Sequence, residues 1–361
     1  MKKSLIALAV LASSGAAMAQ SSVSVYGLAD VWVGSQKNTT NGVSAGGFNK
    51  MASNEGFATS RLGFKGTEDL GGGLKANFQI ETSVGFDQPS ATSLGDRQAW
   101  VGLSGGFGEV QLGRVWTPYD DTRALINDTF NANFASSFNV WEGYFDRTSN
   151  GIRYNTPSFS GFSAAGAYAF GEDKTATTGA SSLTAFSLNY ANGPIAAGLA
   201  HQIQQDKSAT ASTVSDTSGT PFGGAALSSL LNGAAQTVSK TTYTLINGSY
   251  DFGVAKVLAG YNTAKATSTA VAGNAKANEW NIGAEVPFGS ALALGVGYAE
   301  SQVKVNGVDR NETTGYSAAL KYSLSKRTFV YGGLTKAEEE TAAGVSVEKT
   351  TRYFVGVSHA F

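Results

Sequence analysis

The sequence predicts an all-β protein built as a 16-stranded antiparallel transmembrane β-barrel. Short segments in which apolar and polar residues alternate strictly recur along nearly the whole chain, and short turns alternate with longer loops between them. After the first 19 residues no run of 18 apolar residues occurs, so a transmembrane helix is not predicted. The composition, with 45 Gly, 6 Pro and 15% charged residues, favours strands and turns over helices.

The first residues have the three zones of a secretory signal peptide. Met1 to Lys3 form a charged zone, Leu5 to Leu11 an apolar zone, and Ala17 to Ala19 a small-residue cleavage site. We expect residues 1–19 to be removed and residues 20–361 to form the barrel as one domain. Removal takes two of the 26 basic residues and leaves 24 against 27 acidic ones, a net charge of −3. Such a charge gives no reason to expect a nucleic-acid partner, and a chain with no Cys has no disulfide or thiolate metal site.

Sixteen strands are predicted. The residues from Leu74 to Glu81 alternate most clearly, with Leu, Ala, Phe and Ile on one side and Lys, Asn, Gln and Glu on the other. Short turns at one end and long loops at the other are typical of outer-membrane barrels, and sixteen strands enclose an aqueous channel. The predicted strands begin near Ser22, Phe57, Gly73, Gly95, Gly108, Asn150, Phe162, Ser182, Pro194, Lys240, Ala255, Lys276, Ala291, Asn311, Arg327 and Glu348.

The last predicted strand runs to the end of the chain. Its alternation places five side chains on the lipid face: Tyr353, Val355, Val357, His359 and Phe361. The terminal Phe361 is expected to lie in an interfacial aromatic girdle and to support membrane assembly. Before this strand, Glu338 to Glu340 are predicted to form an acidic external loop. That loop is either a solvated run of charges or a site where divalent cations bridge to anionic lipid headgroups.

The segment from Gly113 to Asn150 lacks strand alternation yet contains eight aromatic residues. Long unstructured loops are usually functional or disordered, and disordered segments contain few aromatics, so this loop is expected to pack against something. We predict that this third extracellular loop folds into the pore and narrows it. Thr117 to Asp120 combine an N-cap Thr, a first-turn Pro and an acid three residues after the cap. They predict a short helix that presents Asp120 and Asp121.

Alternation also places basic side chains in the lumen. If Leu62 and Phe64 point outward, Arg61 and Lys65 point inward. The same counting, with Trp100, Ile152 and Tyr154 outward, directs three further arginines inward: Arg97, Arg147 and Arg153. Charged rings are one way in which pores select ions; the alternative is that each residue is a separate hydrated part of the wall. The loop would supply the opposing acids Asp120, Asp121 and Asp128.

Arg114 differs because it shares an outward face with Val110 and Leu112. An arginine facing lipid costs about 2 to 4 kcal/mol at the membrane midplane. Two interpretations remain open. Arg114 makes a subunit contact with an acid of a neighbouring protomer, such as Asp87, or the strand has already ended at Gly113.

Several motifs resemble those of a known family. They are Ser22-Val23-Ser24-Val25-Tyr26-Gly27, the residues from Ser60 to Leu74, Gly108 to Arg114, Tyr154-Asn155-Thr156-Pro157, Tyr250-Asp251-Phe252-Gly253, Leu324 to Thr328 and Ser358-His359-Ala360-Phe361. Over the whole mature chain they resemble the trimeric general porins of Gram-negative outer membranes, especially the β-proteobacterial branch. The resemblance implies a homotrimer, passive diffusion of small hydrophilic solutes, and a third loop facing wall arginines. Arg61, Arg97 and Arg147 fall on those arginine positions.

The leading functional hypothesis is an outer-membrane porin through which ions and small hydrophilic solutes diffuse passively. The predicted excess of basic residues at the constriction predicts weak anion selectivity. The alternatives are a channel that prefers organic anions and a non-conducting adhesin or outer-membrane hydrolase. The expected partners are two further copies of the chain, outer-membrane lipid and lipopolysaccharide, and the solutes themselves.

An enzyme is not expected. Gly42 to Gly46 fit the nucleophile-elbow pattern, but they lie in a Gly/Ser loop and not between a strand and a helix. The histidines are His201 and His359, and the second faces lipid by alternation. The sequence has no P-loop, dinucleotide fingerprint or metal-ligand cluster, so no catalytic residue, metal or cofactor is predicted.

Overall fold

The computed structural model describes residues 22–53, 56–89, 93–126, 130, 140–176, 179–206, 216–218, 227, 239–268 and 272–361. The predicted signal peptide, residues 1–19, lies outside the described residues, as does Asp128. Among the described residues, no helix is long and apolar enough to cross a membrane.

The described strands form one antiparallel sheet that closes on itself. The strands are β1 (Ser22–Thr40), β2 (Val43–Ala52), β3 (Arg61–Gly71), β4 (Leu74–Ser83), β5 (Gln98–Gly105), β6 (Gly108–Trp116), β7 (Tyr144–Asn155), β8 (Phe162–Phe170), β9 (Ser182–Asn192), β10 (Ile195–Asp206), β11 (Asp216–Ser218), β12 (Ser239–Asp251), β13 (Lys256–Ser268), β14 (Asn274–Phe288), β15 (Leu292–Val305), β16 (Val308–Ser323), β17 (Thr328–Thr341) and β18 (Ser346–Ala360). Between β6 and β7 lie helix α1 (Pro118–Arg123) and a 3-10 turn (Ala124–Ile126).

The barrel wall has sixteen strands, as predicted. Along one edge, β1 pairs with β3 through residues 22–28 and with β2 through residues 32–40. Strands β2 and β3 are therefore two halves of one wall strand. Strand β11 has three residues and, within the described part of the chain, pairs with the first residues of β7, Tyr144 and Arg147, and with no other strand. Along its other edge, β1 pairs with β18 over thirteen consecutive residues, from Leu28 opposite Ala360 to Thr40 opposite Glu348. This seam closes the barrel.

The break between β2 and β3 folds inward. Its Phe57 is buried, and the ring stacks on Tyr331 with the ring centres 4.0 Å apart. The Tyr331 hydroxyl donates to Asp30 on β1 at 2.6 Å. A Cβ on Gly56 would lie 2.1 Å from Asp30 Oδ1, so only glycine fits there. The second strand was predicted to begin near Phe57, so the prediction omitted β2. In the structure this wall strand is interrupted at the point where the chain packs inward.

The two faces of the wall follow the predicted alternation. Val23 and Val25 of β1 are exposed on the outer wall, whereas Asp30 and Trp32 of the same strand are buried inside. On β18 the outward face carries the exposed Tyr353, Val355 and Val357. Phe361 continues that face, and its backbone exchanges two hydrogen bonds with Gly27, at 3.1 and 3.2 Å.

The predicted acidic external loop is wrong, because Glu338 to Glu340 belong to β17 and pair with β16. Glu339 is buried on the inward face. Glu338 faces outward, 2.9 Å from Lys336 Nζ and 3.5 Å from Lys349 Nζ. These lysines compensate the outward carboxylate, which lets a run of glutamates continue as a strand.

Candidate functional site

Two of the predicted basic residues lie on the inward face of β3. Arg61 and Lys65 alternate with Phe64, which pairs with the outward-facing Val25. The Lys65 ammonium lies 5.3 Å from the ring centre of Tyr26, an inward residue of β1. Both basic groups therefore line the interior beside the break in the wall.

Arg97 reaches the interior by a route that alternation did not predict. It precedes β5, and its backbone N donates to the Glu81 carbonyl oxygen at 3.1 Å. Within β5, Trp100 pairs with the inward Gln79 of β4, whereas Val101 is exposed on the outer wall. The predicted outward orientation of Trp100 is therefore wrong. Arg97 lies before the first residue of the strand, so strand alternation does not govern its side chain.

Glu81 holds this part of the wall together, although it was not predicted as a site residue. It is buried on the inward face of β4. One carboxylate oxygen accepts from Arg97 Nε at 2.7 Å. The other accepts from the Tyr26 hydroxyl at 2.9 Å and lies 3.9 Å from Arg61 Nε. Glu81 thus fixes two arginines side by side and cancels part of their charge.

Trp116 brings Arg97 and Arg147 to one aromatic ring. The guanidinium carbons lie 5.7 Å and 4.5 Å from the ring centre, respectively. Guanidinium groups stack favourably on indole faces. Arg147 also pairs with its neighbour Asp146, with 2.9 Å between Nη2 and Oδ2. Asp146 is therefore a second acid of the wall that the sequence did not indicate.

The predicted helix is present as α1. The Thr117 hydroxyl caps it by accepting from the Asp120 backbone N at 3.3 Å, and Pro118 is its first residue. Asp121 forms an ion pair with Arg153 on the inward face of β7. Arg153 also donates to the Trp116 carbonyl oxygen at 2.8 Å. The helix is therefore tied to the wall on its acidic side.

The pKa of Asp120 lies well above the usual range of an aspartate. Its carboxylate is half-buried and accepts a hydrogen bond from the Tyr144 hydroxyl. Burial raises the pKa of Asp120 to about 7, and the carboxylates of Asp146 and Asp121 act in the same direction. The Tyr144 bond and the Arg123 charge oppose this shift. The negative charge on the helix therefore depends on pH in the neutral range.

Helix α1 packs on the inner wall from β7 to β10 and on β12. The buried Tyr119 hydroxyl donates to Asn262 Oδ1 of β13 at 2.9 Å. Asn247 of β12 donates to the Thr122 carbonyl oxygen at 2.6 Å. Arg123, which the sequence analysis did not single out, lies 4.5 Å from the Tyr144 ring centre. The first half of the loop is thus fixed to the side of the barrel that starts at β7.

The returning half of the loop packs on the same side. The Glu142 backbone N donates to the buried Glu279 of β14 at 2.5 Å. Tyr243 of β12 donates to the Gly143 carbonyl oxygen at 2.7 Å. Near the tip, the Phe130 backbone N donates to Glu285 of β14 at 2.9 Å, and Lys321 of β16 lies 4.5 Å from its ring centre. These contacts extend the covered part of the inner wall to β16.

Arg114 is held within its own chain. It donates to the Asp96 carbonyl oxygen at 2.6 Å and to Ser149 Oγ at 2.8 Å. Strand β6 continues to Trp116 through a shift of register after Gly113, so the interpretation in which the strand ends at Gly113 is wrong. Asp87, the suggested partner in a neighbouring protomer, accepts from the backbone and hydroxyl of Ser53. The predicted subunit contact of Arg114 stays a prediction.

Known proteins resemble this chain over most or all of its length. Residues 4–342 match the family model described as Gram-negative porin. Outer membrane porin protein 32 of Delftia acidovorans is 36% identical, over 100% of both chains. An outer membrane porin protein of Bordetella pertussis is 30% identical, also over 100% of both. The solved anion-selective porin from Comamonas acidovorans superposes with a TM-score of 0.76 at 29% identity, covering 95% of this chain and 100% of the other. The chain belongs to the Gram-negative porin family, and its barrel is an outer-membrane porin.

Proposed function

We propose that the loop between β6 and β7 (loop 3, residues 117–143) narrows the pore, and that ions pass between this loop and the wall from β3 to β6. The support is the one-sided packing of the loop. Its described residues contact β7 to β10 and β12 to β14. Phe130 lies beside β16, and its ring centre is 6.0 Å from that of Phe57, in the break between β2 and β3. Arg61, Lys65 and Arg97 lie on the part of the inner wall that these contacts leave uncovered.

We further propose that this constriction favours anions weakly. Of the basic side chains that the structure describes, six surround it: Arg61, Lys65, Arg97, Arg123, Arg147 and Arg153. Four acids lie among them: Glu81, Asp120, Asp121 and Asp146. The excess of two positive charges is small, and the partial protonation of Asp120 adds to it. The Comamonas relative is described as anion-selective, which supports the same direction.

Zero-current potentials in planar bilayers test this proposal. In a KCl gradient centred near 0.1 M the wild type is expected to prefer chloride, and the preference fades at 1 M, where the Debye length is about 3 Å. Replacing Arg61 and Arg97 by Ser removes the excess and shifts the potential toward cations. The matched control K265Q/K276Q removes the same charge from the outer wall and leaves the potential unchanged. Clear cation preference in the wild type, insensitive to the arginine variants, contradicts the proposal.

The porin is also proposed to assemble as a homotrimer in a membrane that contains lipopolysaccharide. An apolar concavity on the outer wall beside the β1–β18 seam, lined in part by Val31, Val33, Met51 and Val355, suits a neighbouring subunit. Every wall strand is paired, so no free edge starts unfolding in detergent. The unheated protein should therefore run as a much larger band than the boiled one. A monomer-sized unheated band that conducts in single steps argues against the trimer.

Passive diffusion through the pore involves no chemical step.

A further inference from the structure

Three lysines stand directly opposite one another on the outer wall near the extracellular rim. Lys265 of β13 pairs in register with Lys276 of β14, and Lys276 pairs with Lys304 of β15. The residues on either side of them, such as Ala264 and Ala277, are buried inside the barrel, so the lysines face outward. We call Lys265, Lys276 and Lys304 the lysine row.

The lysine row places like charges side by side. Residues directly opposite in an antiparallel pair have Cβ atoms about 4.5 to 5.5 Å apart, and like charges in such positions repel. Lys240 of β12 adds a fourth ammonium, diagonal to Lys265 because it pairs with Thr267. Among the residues that the structure describes, the row has one acidic partner, Asp309, 2.9 Å from Lys304 Nζ. With one direct acidic partner, the row itself keeps a positive charge.

Below the lysine row, polar and then aromatic side chains follow one another in the order that is typical of a membrane interface. Two residues further from the rim comes a polar layer in the same register: Thr263, Asn278 and Gln302. Two residues further still, Tyr261 and Trp280 are exposed on the outer wall. The Trp280 ring packs on Tyr298, 5.1 Å away between ring centres, and Tyr298 on Tyr316 at 5.0 Å. This cluster has the position and composition of an interfacial aromatic girdle.

The height of the row above this girdle follows from strand geometry. Lys276 and Trp280 are four residues apart, which is about 13 Å along a strand, and roughly 10 Å along the membrane normal for a strand tilted by about 40°. The ammonium groups therefore lie just beyond the acyl region of the outer leaflet, where the anionic groups of a lipid headgroup are found. Glu300 and Glu312 flank this patch on the β15 and β16 side, in the layers below the row.

We propose that the lysine row binds the phosphorylated headgroup of an outer-leaflet glycolipid, with the aromatic girdle beneath it holding the start of the acyl chains. The anionic groups of the lipid relieve the repulsion between the lysines. This binding surface is independent of ion selectivity in the pore and rests on the outer-membrane location of the barrel.

Binding of fluorescent lipopolysaccharide to the purified full-length mature porin tests the proposal. The variant K265Q/K276Q/K304Q removes the row and keeps side chains of similar length. A lysine close to an anionic lipid surface strengthens binding by roughly fivefold. The triple variant should therefore bind roughly 25- to 125-fold more weakly at low salt, the lower figure applying if the Asp309-paired Lys304 adds little. The control K256Q/K326Q/R327Q removes the same charge at the periplasmic rim and should bind like the wild type.

Two probes separate the sources of the anion. Lipopolysaccharide stripped of its phosphates should bind the wild type and the triple variant equally. Millimolar inorganic phosphate should not displace the lipid, because the girdle contributes to binding. An unchanged single-channel conductance shows that the triple variant is folded. The proposal is overturned if the triple variant binds lipopolysaccharide with unchanged affinity, or if the periplasmic control loses as much affinity as the triple variant. It is also overturned if the triple variant loses as much affinity for the dephosphorylated lipid as for the intact one, or if inorganic phosphate displaces the lipid.

Discussion

Replacing Glu81 by Gln removes one negative charge from the constriction while keeping nearly the same shape. Gln offers an amide oxygen to Arg97 Nε, which lies 2.7 Å from the Glu81 carboxylate, so the local geometry should survive. Arg61 and Arg97 then act on the pore without compensation. We expect stronger anion selectivity. The buried Arg97 keeps a hydrogen bond but loses the charge of its partner, so the thermal stability of the barrel should fall by less than the roughly 3 to 5 kcal/mol that removing a whole partner costs.

The magnitude follows from Coulomb's law. An ion passing about 6 Å from the carboxylate interacts with it by about 0.7 kcal/mol at the dielectric constant of water. Screening at 0.1 M salt, where the Debye length is about 10 Å, reduces this to about 0.4 kcal/mol. Because the change acts with opposite sign on anion and cation, the ratio of their permeabilities should rise about fourfold. At 1 M salt the same arithmetic gives less than about 1.5-fold.

The assay is the zero-current potential of purified protein in a planar bilayer at both salt concentrations. Glu300→Gln is the matched control, because Glu300 pairs with the exposed Trp280 on the outer wall. It removes the same net charge outside the pore and should not alter the potential. An unchanged potential in Glu81→Gln, or an equal shift in both variants, refutes the placement of Glu81 at the constriction.

Three further predictions concern the loop and the end of the chain. Since the pKa of Asp120 is about 7, raising the pH from 6 to 8 ionises this carboxyl group and should weaken anion selectivity. Asp120→Asn should remove most of this pH dependence, as measured by zero-current potentials. Asn262→Leu removes the acceptor of the buried Tyr119 hydroxyl, so loop 3 should be held less firmly against the wall. Larger sugars should then enter in a liposome-swelling assay, whereas an unchanged size limit contradicts anchoring at this point. Deleting Phe361, which faces outward, should lower the amount of assembled protein without changing the conductance of the channels that do insert; normal membrane levels count against this role.

The sequence predicted the barrel well because alternation is a local property. Leu74 to Glu81 alternate in the sequence and lie as β4 with the polar side chains inward. Alternation failed where a residue lay just outside a strand or where the strand was interrupted. Arg97 precedes β5, so alternation counted from Arg97 placed Trp100 on the wrong face. The break around Phe57 interrupts the wall strand, so β2 was not predicted.

The candidate site was harder to predict because charge balance depends on contacts between distant strands. Glu81 is on the inward face by simple alternation, but its bonds to Arg97 and Tyr26 require four neighbouring strands in register: β1, β3, β4 and β5. The pairing of Arg153 with Asp121 depends on where α1 lies, which no local pattern specifies. A count of sequence charges therefore omitted members of the charge balance on both sides: the acids Glu81 and Asp146, and the base Arg123.

The seam between β1 and β18 can form only when the C-terminal strand is available, so the barrel closes last at this seam. Its thirteen residue pairs join the two ends of the chain, so they carry the largest loop-closure entropy of any contact in the barrel. Until the last residues arrive, one edge of β1 has unsatisfied backbone groups and can pair with any other strand. A chain that loses its C-terminal strand keeps that edge permanently. Premature termination near the end of the reading frame should therefore produce aggregation-prone protein in the periplasm, and not a slightly shortened pore.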